Sequence, residues 1–570
     1  VAGNVTIGSS AAYGNIASLT FANNARFDFG GAASLHVNGN ITFGNAVGGL
    51  GAPYEPDSLT LGTNATLTFN SNVSIGATTP MTVNQAAAVN MAGSLTAGAV
   101  VMTNVSGNLI MDATNTVASL DITSTGSGSS TFIRINTLEV GSGNAIITAN
   151  QINLLGTISD TGAQSTLTIK PYTASRPMVI GNSPPSATTY TLNNRLDLSA
   201  TEIGLILPGF SVVNLGDAAA GTGTVYLGFM GSQIATGEYF NKTQVFGGDI
   251  IVTRDHDINA TVPEFRLVAR TGDITVNARI GYAVDNTSSD RNPWVRMEAA
   301  ANININAGVY TLDRVSLTAG QGTGTGTITV ATTGFIYTTD TTASNKRIEL
   351  AAGLTSGNII LNGASAEASI LSAAGAGSSI VLLARGGAIT QTDGRLVSDL
   401  FTTQSSGATT VRTTVIRVGE ATLAGELFSD STPRTIDGAQ VTGTGTYTQT
   451  ETDNLQLDQV TTTSGEITIT TTGAGTITID AINSTSGNVT LTADGAIADF
   501  TPAADTQSNI TTTGLLTFTA KTGVGGTGLA DLDISVGSVQ GTNATSGDIV
   551  LQDPNGLIVS GAVATLAGNG

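Results

Sequence analysis

The chain contains no cysteine, which excludes disulfide frameworks, thiolate metal sites and cysteine nucleophiles together. It has 2 histidines and 1 tryptophan in 570 residues, and aromatics make up 5% of the sequence. Histidine chemistry therefore has only His36 and His256 to draw on, and they lie far apart along the chain. So few aromatics argue against tandem sandwiches with aromatic cores and against the aromatic platforms of carbohydrate clefts. With Trp294 the lone tryptophan, the repeated Trp-Asp signature of a propeller is missing. Charge is scarce as well, at 11% of residues against a usual share of about 25%. What charge there is leans acidic, 41 Asp and Glu to 21 Lys and Arg, for a net −20. No basic stripe exists to release phosphate counterions, which argues against nucleic acid as a partner and disfavours anionic membranes. Heptads are absent, and no run of about 18 apolar residues occurs, so neither a coiled-coil stalk nor a transmembrane segment is expected. No initiator Met or signal peptide precedes Val1, and the chain closes on Ala-Gly-Asn-Gly. We expect it to be a mature or excised piece of something longer.

What the sequence does have is glycine, 71 residues of it, with 40% hydrophobic residues. The apolar residues are regularly placed, which separates the chain from a disordered linker of similar composition. A short unit recurs: Gly, a small or polar residue, then alternating aliphatic and Thr-like residues. It appears as Gly3-Asn4-Val5-Thr6-Ile7, Gly39-Asn40-Ile41-Thr42-Phe43, Gly272-Asp273-Ile274-Thr275-Val276, Gly465-Glu466-Ile467-Thr468-Ile469 and Gly487-Asn488-Val489-Thr490-Leu491. Looser copies begin at Gly143, Gly357 and Gly547. Alternation puts the aliphatics on one face and Thr on the other, the period of a half-buried strand. The Gly-Asn or Gly-Asp pair is expected to supply a turn through positive φ and local side-chain bonding. Clear copies are 24 residues apart from Gly248 to Gly272 and 22 from Gly465 to Gly487, one coil of a three-stranded parallel solenoid. A 570-residue chain exceeds one compact core, and a solenoid propagates its core without limit. The expected fold is an all-β, parallel β-helix.

From residue 162 to 231 the pattern breaks at Lys170-Pro171-Tyr172, Pro184-Pro185 and Pro208-Gly209. Ser199-Ala200-Thr201-Glu202 has the capping-box form and predicts a short helical turn before Pro208. The division expected is amino-terminal coils over 1–161, an irregular connector over 162–231 that ends one stack and starts another, and further coils over 232–570.

Thr485-Ser486-Gly487-Asn488-Val489-Thr490-Leu491-Thr492-Ala493-Asp494-Gly495-Ala496-Ile497 and Gly386-Gly387-Ala388-Ile389-Thr390-Gln391-Thr392-Asp393-Gly394-Arg395-Leu396 resemble repeats of the filamentous-haemagglutinin type found in very large bacterial surface proteins. Arg195-Leu196-Asp197-Leu198, Glu202-Ile203, Gly209-Phe210 and Leu215-Gly216-Asp217 resemble a segment of such proteins. The resemblance implies a right-handed helix, export to the cell surface, and adhesion or fibre formation. It brings no catalytic residues.

Parallel β-helices also host polysaccharide lyases and hydrolases, which need carboxylates converging across coils. The best local candidates are Arg254-Asp255-His256-Asp257, with Asp290-Arg291-Asn292-Pro293-Trp294 downstream. Alternation with Ile251, Thr253 and Ile258 reads equally as solvated outer positions. Gly523-Val524-Gly525-Gly526-Thr527-Gly528 lacks the Asp of a calcium nonapeptide, and no Gly-Lys-Ser or Gly-Lys-Thr follows the glycines at 320–326. Asn-x-Thr sequons such as those at Asn64 and Asn241 permit glycosylation, at a frequency chance explains. The expectation is a non-enzymatic extracellular structural or adhesive element of the bacterial cell surface. No catalytic, cofactor or metal residue is assigned. Its expected partners are its own coils, end to end or in a longer chain, and host or matrix glycans or surface proteins.

Overall fold

A computed structural model describes residues 80–127, 131–162, 165–181, 194–228, 242–256, 264–281, 294–338, 346–373, 375–423, 434–500 and 507–565. Before residue 80 it describes only short strand and turn segments within 5–78. By contacts the chain forms two compact units, Val1–Thr271 and Gly272–Gly570. Each is a parallel β-helix, as the periodicity predicts, and each is taken here by itself.

In the first unit one inner row climbs through Ile122, Ile147, Ile169, Leu215, Val245 and Leu267, each in register with the next and all buried. The 162–231 stretch lies inside this unit, and it does not interrupt the row: Ile169 and Leu215 are register partners although 46 residues separate them. The residues between them form further pairings, Met178–Ile180 with Leu196–Leu198 and with Val225–Leu227. The helical turn is Ala200–Ile203, capped by the Ser199 and Glu202 pair. Glu202 does more than cap. One carboxylate oxygen accepts the Ser199 amide at 2.8 Å, and the other accepts the Leu154 amide of a neighbouring strand at 3.1 Å. The turn thus satisfies an edge donor that a β-ladder leaves open.

The second unit carries a longer row: Ile274, Ile303, Ile328, Ile359 and Ile389, then Thr409 and Tyr447, then Ile467, Val489, Leu516, Val539 and Val559. All are buried except Val559, which is 54% exposed. An outer row of Thr410, Thr448, Thr468, Thr490 and Thr517 runs beside it.

The expected positive φ is present at Gly547, but the Asn of the pair does not bond locally. Asn488 Oδ1 accepts the amide of Leu515 at 2.9 Å, Asn358 Oδ1 that of Ala388 at 2.8 Å, and Asn144 Oδ1 that of Thr166 at 3.0 Å. These acceptors latch one coil to the next. At Gly487 the need is for space, not for positive φ: an added Cβ would lie 2.0 Å from the Gly465 carbonyl oxygen. Coils meet backbone to backbone at that corner, which only glycine permits.

Two regions depart from the aliphatic-in, polar-out rule. Strand Ser379–Ala384 is buried along its whole length, because an antiparallel hairpin, Ala421–Leu423 with Arg434–Ile436, lies over its outer face. Ala421 and Ile436 form a small external core with Ala351, Val381 and Leu383. The second departure is internal. Strand Tyr447–Glu451 turns Tyr447, Gln449 and Glu451 inward, and all three are fully buried. Tyr447 donates to Gln449 Oε1 at 2.7 Å, Gln449 Nε2 donates to Thr413 Oγ1 at 2.8 Å, and Thr413 donates to Glu451 Oε2 at 2.7 Å. The amides of Val415 and Thr452 also donate to the Glu451 carboxylate, at 3.0 and 2.7 Å. Burial pushes the Glu451 carboxyl above its ordinary value, opposed by these donors. Burial, and then the Glu451 charge, raise the Tyr447 hydroxyl.

Candidate functional site

The charged stretch singled out by sequence falls in the first unit. Arg254 and Asp255 are exposed, and Asp257 lies outside the described residues. His256 points the other way and is 4% exposed. Its ring stacks on Phe265 at 6.3 Å between centroids, and Nε2 is buried with no hydrogen-bond partner among the described residues. Burial pushes its pKa down to about 4, against smaller upward pulls from a hydrogen bond to the Leu227 backbone and from Asp255. A neutral imidazole set in the wall beside Phe265 packs as an apolar ring.

That placement fixes a pH dependence. Between about 4 and 6.5 the unfolded histidine binds a proton that the folded one refuses. Its contribution to stability is therefore whole above 6.5 and is lost as pH falls toward 4. At about 1.4 kcal/mol per pKa unit, the loss is on the order of 3 kcal/mol. Denaturant titrations at stepped pH should show this slope in the native chain and its disappearance in His256→Phe. An unchanged slope in the variant would assign the acid sensitivity to other groups.

Of the downstream stretch, residues 290–293 lie outside the described residues, and Trp294 begins strand Trp294–Ala299 of the second unit. Its ring lies 5.3 Å from the Arg296 guanidinium and 4.5 Å from that of Arg314. Arg314 and Arg347 both reach the buried Glu349, at 2.5 and 2.6 Å. Burial lowers the Arg347 pKa, against the pull of Glu349. Glu349 is thus paired with two arginines along adjacent strands and Arg296 with Glu298, the pairing that buried ions require. Among the described residues no three of His, Cys, Asp and Glu gather as metal ligands, and no helix is long and apolar enough to cross a membrane.

A recess of about 580 Å³ lies elsewhere in the second unit, and strand continuity explains it. Arg395–Ser405 and Thr409–Val418 run side by side, Leu396 against Thr413 through Leu400 against Arg417. On the coil before them the ladder breaks between Ser369–Ala373 and Ser379–Ala384. On the coil after, it breaks between Tyr447–Glu451 and Leu455–Leu457. The two breaks, around 375–378 and 452–454, form walls about three ladder steps apart, roughly 14 Å, and the continuous strands form the floor.

Both walls are pinned. Asp399 Oδ2 accepts the Gly377 amide at 2.7 Å, and the Asp399 amide donates to Ser378 Oγ at 3.1 Å. Asn454 Oδ1 accepts the Thr476 amide at 2.9 Å, Asp453 Oδ1 accepts the Asn454 amide at 3.0 Å, and the Thr414 and Thr452 hydroxyls meet at 2.8 Å. Val397 and Ile416 supply apolar surface, and Ile416 is 63% exposed. The lining holds two carboxylates, Asp399 and Asp453, and neither Lys nor Arg. Glu451 lies on the inner side of the wall strand, sealed from the recess.

None of these residues stood out in the sequence, because the lining runs from Ala373 to Thr478 and no stretch of it forms a motif. The one local signal is Ile416, an aliphatic at a position that alternation assigns to the outside. In comparisons with known proteins the chain matches no family model, no curated protein and no solved structure.

Proposed function

We propose that this chain is a non-enzymatic, extracellular structural or adhesive surface element, a rod- or filament-forming β-helical segment of a larger exported bacterial protein. The observation that carries the reading is the long inner row of the second unit and the strand that completes it. Val559–Thr565 pairs with Leu532–Asn543, and its other edge has no partner among the described residues. Leu557, Ile558 and Val559 stand exposed beside that edge. An open parallel edge flanked by aliphatics templates another strand, from the next coil of the same polypeptide or from a second copy in heterologous stacking. The scarcity of charge and the resemblance to filamentous-haemagglutinin repeats support the surface location. The coil sides, rich in Thr and Asn, are the surface offered to host or matrix glycans or to surface proteins.

Negative-stain images and sedimentation of the isolated chain test the assembly. Particles that lengthen with concentration are the expected result. A concentration-independent monomer with its last coil protected from amide exchange would show the edge already blunted and overturn the stacking. The enzymatic alternative predicts polysaccharide cleavage that disappears in Asp255→Asn or Asp257→Asn. The expected result is no product release from acidic or neutral polysaccharides.

A further inference from the structure

We infer that the recess between the 375–378 and 452–454 turns is a binding site for neutral sugars, taking one or two pyranose units of a longer glycan. The inference deepens the adhesive reading by giving it a place and a ligand class. Four observations converge on it. The volume, about 580 Å³, lies within the roughly 300–1,000 Å³ of small-molecule sites. The site is preformed, since its floor is two paired strands and both walls are fixed by the hydrogen bonds of Asp399, Asn454 and Ser378. Its chemistry is two-sided: exposed Ile416 beside Val397 offers an apolar strip, while Asp399 and Asp453 offer acceptors.

Charge then selects among ligands. Each of these carboxylates has one oxygen engaged by a backbone amide, Gly377 for Asp399 and Asn454 for Asp453. The second oxygen of each is left to accept from a ligand. The nearby Arg417 is turned to Asp458 at 3.3 Å. Anionic sugars, phosphates and sulfates would meet two like charges without a compensating cation. The lining holds no aromatic ring, so aliphatic side chains take the place of an aromatic platform: the hydroxyls of a neutral pyranose donate to carboxylate oxygens in charge-assisted bonds, and the C–H face of its ring covers Ile416 and Val397. The side-chain amide NH2 of Asn454 and the Thr478 hydroxyl, also in the lining, supply donors for ring and hydroxyl oxygens.

Saturation-transfer NMR on the full chain tests this with cellobiose, maltose, lactose and chitobiose, and with glucuronic acid as the anionic comparator. Saturable transfer to at least one neutral disaccharide is expected, weakened about 10-fold or more in both Ile416→Asp and Asp399→Ala. Ile416→Asp alters an exposed side chain, so it keeps the fold even if Asp399→Ala loosens the 375–378 turn. Thr468→Ser, on the Thr row away from the recess, should leave binding unchanged. Absence of transfer from all four neutral sugars, equal binding of glucuronic acid, or insensitivity to Ile416→Asp would each overturn the inference. So would binding of a lysine-rich peptide with no sugar binding, which would mark the carboxylates as a cation-selective surface. Failure here leaves the stacking of coils untouched. Cleavage of a bound sugar would instead uphold the site and overturn the non-enzymatic reading.

Discussion

Val489→Asp is expected to destabilise the Gly272–Gly570 unit by about 4 kcal/mol, while Thr490→Asp one residue away costs under about 1 kcal/mol. Val489 is fully buried between Ile467 and Leu516 in the inner row, where a carboxylate would find aliphatic neighbours and no donor. Thr490 stands in the outer row between Thr468 and Thr517, with water on one side. Leu491→Asp, between Ile469 and Phe518, should behave like Val489→Asp. Because coils contact only their neighbours, the damage should be local. Amide exchange should accelerate first at Ile467 and Leu516, alongside a lower guanidinium midpoint. Equal tolerance at 489, 490 and 491 would overturn the assignment of alternate faces.

The same residues show how much of the fold was legible beforehand. Val489-Thr490-Leu491 could be read correctly because one physical variable, burial with a period of two, decides both sequence and structure there. Ser199 and Glu202 were legible for a similar reason: the capping pair lies within four residues. The roles of Gly487 and Asn488 were not. Both are set by what lies one coil away, the Gly465 carbonyl and the Leu515 amide, and the sequence does not mark which distant residue will be the axial neighbour. The 162–231 stretch was hard to read for the same reason. Its prolines mark local irregularity, but whether the row resumes in register at Leu215 depends on a partner at Ile169. The recess was least legible, since it exists only where two continuous strands lie between two broken ones. Tyr447-Thr448-Gln449-Thr450-Glu451 alternates as cleanly as any strand, yet both of its faces are polar apart from Tyr447. Hydrophobic pattern alone does not say which side goes in.

That polar strand yields the other large expectation: Glu451→Leu should cost on the order of 5 kcal/mol. Every hydrogen bond around the carboxylate points toward it. Tyr447 donates to Gln449, Gln449 to Thr413 and Thr413 to Glu451, and the Val415 and Thr452 amides donate there too. Leucine fills the volume but leaves the buried Thr413 hydroxyl and Val415 amide without an acceptor, at about 1–3 kcal/mol each, and takes the acceptor from the half-buried Thr452 amide as well. Glu451→Gln keeps one acceptor and turns an amide N–H against donors, so it should fall between the two. The pH dependence carries a sign that simple loss of packing would not produce. Burial raises the Glu451 pKa above the ordinary 4.5, so what this carboxyl contributes is fully present below 4.5 and declines as pH rises through its folded value. The gap between native protein and Glu451→Leu should therefore be widest in mild acid and narrow toward neutral pH, as read from guanidinium midpoints at stepped pH. Amide exchange at Val415 and Thr452 should accelerate in the variant more than at Ile467, which lies outside the donor chain. A gap that widens with rising pH would mean that the donors outweigh burial and hold the carboxyl below its ordinary range, and exchange at Val415 unchanged would mean that Glu451 is not the acceptor on which this part of the interior converges.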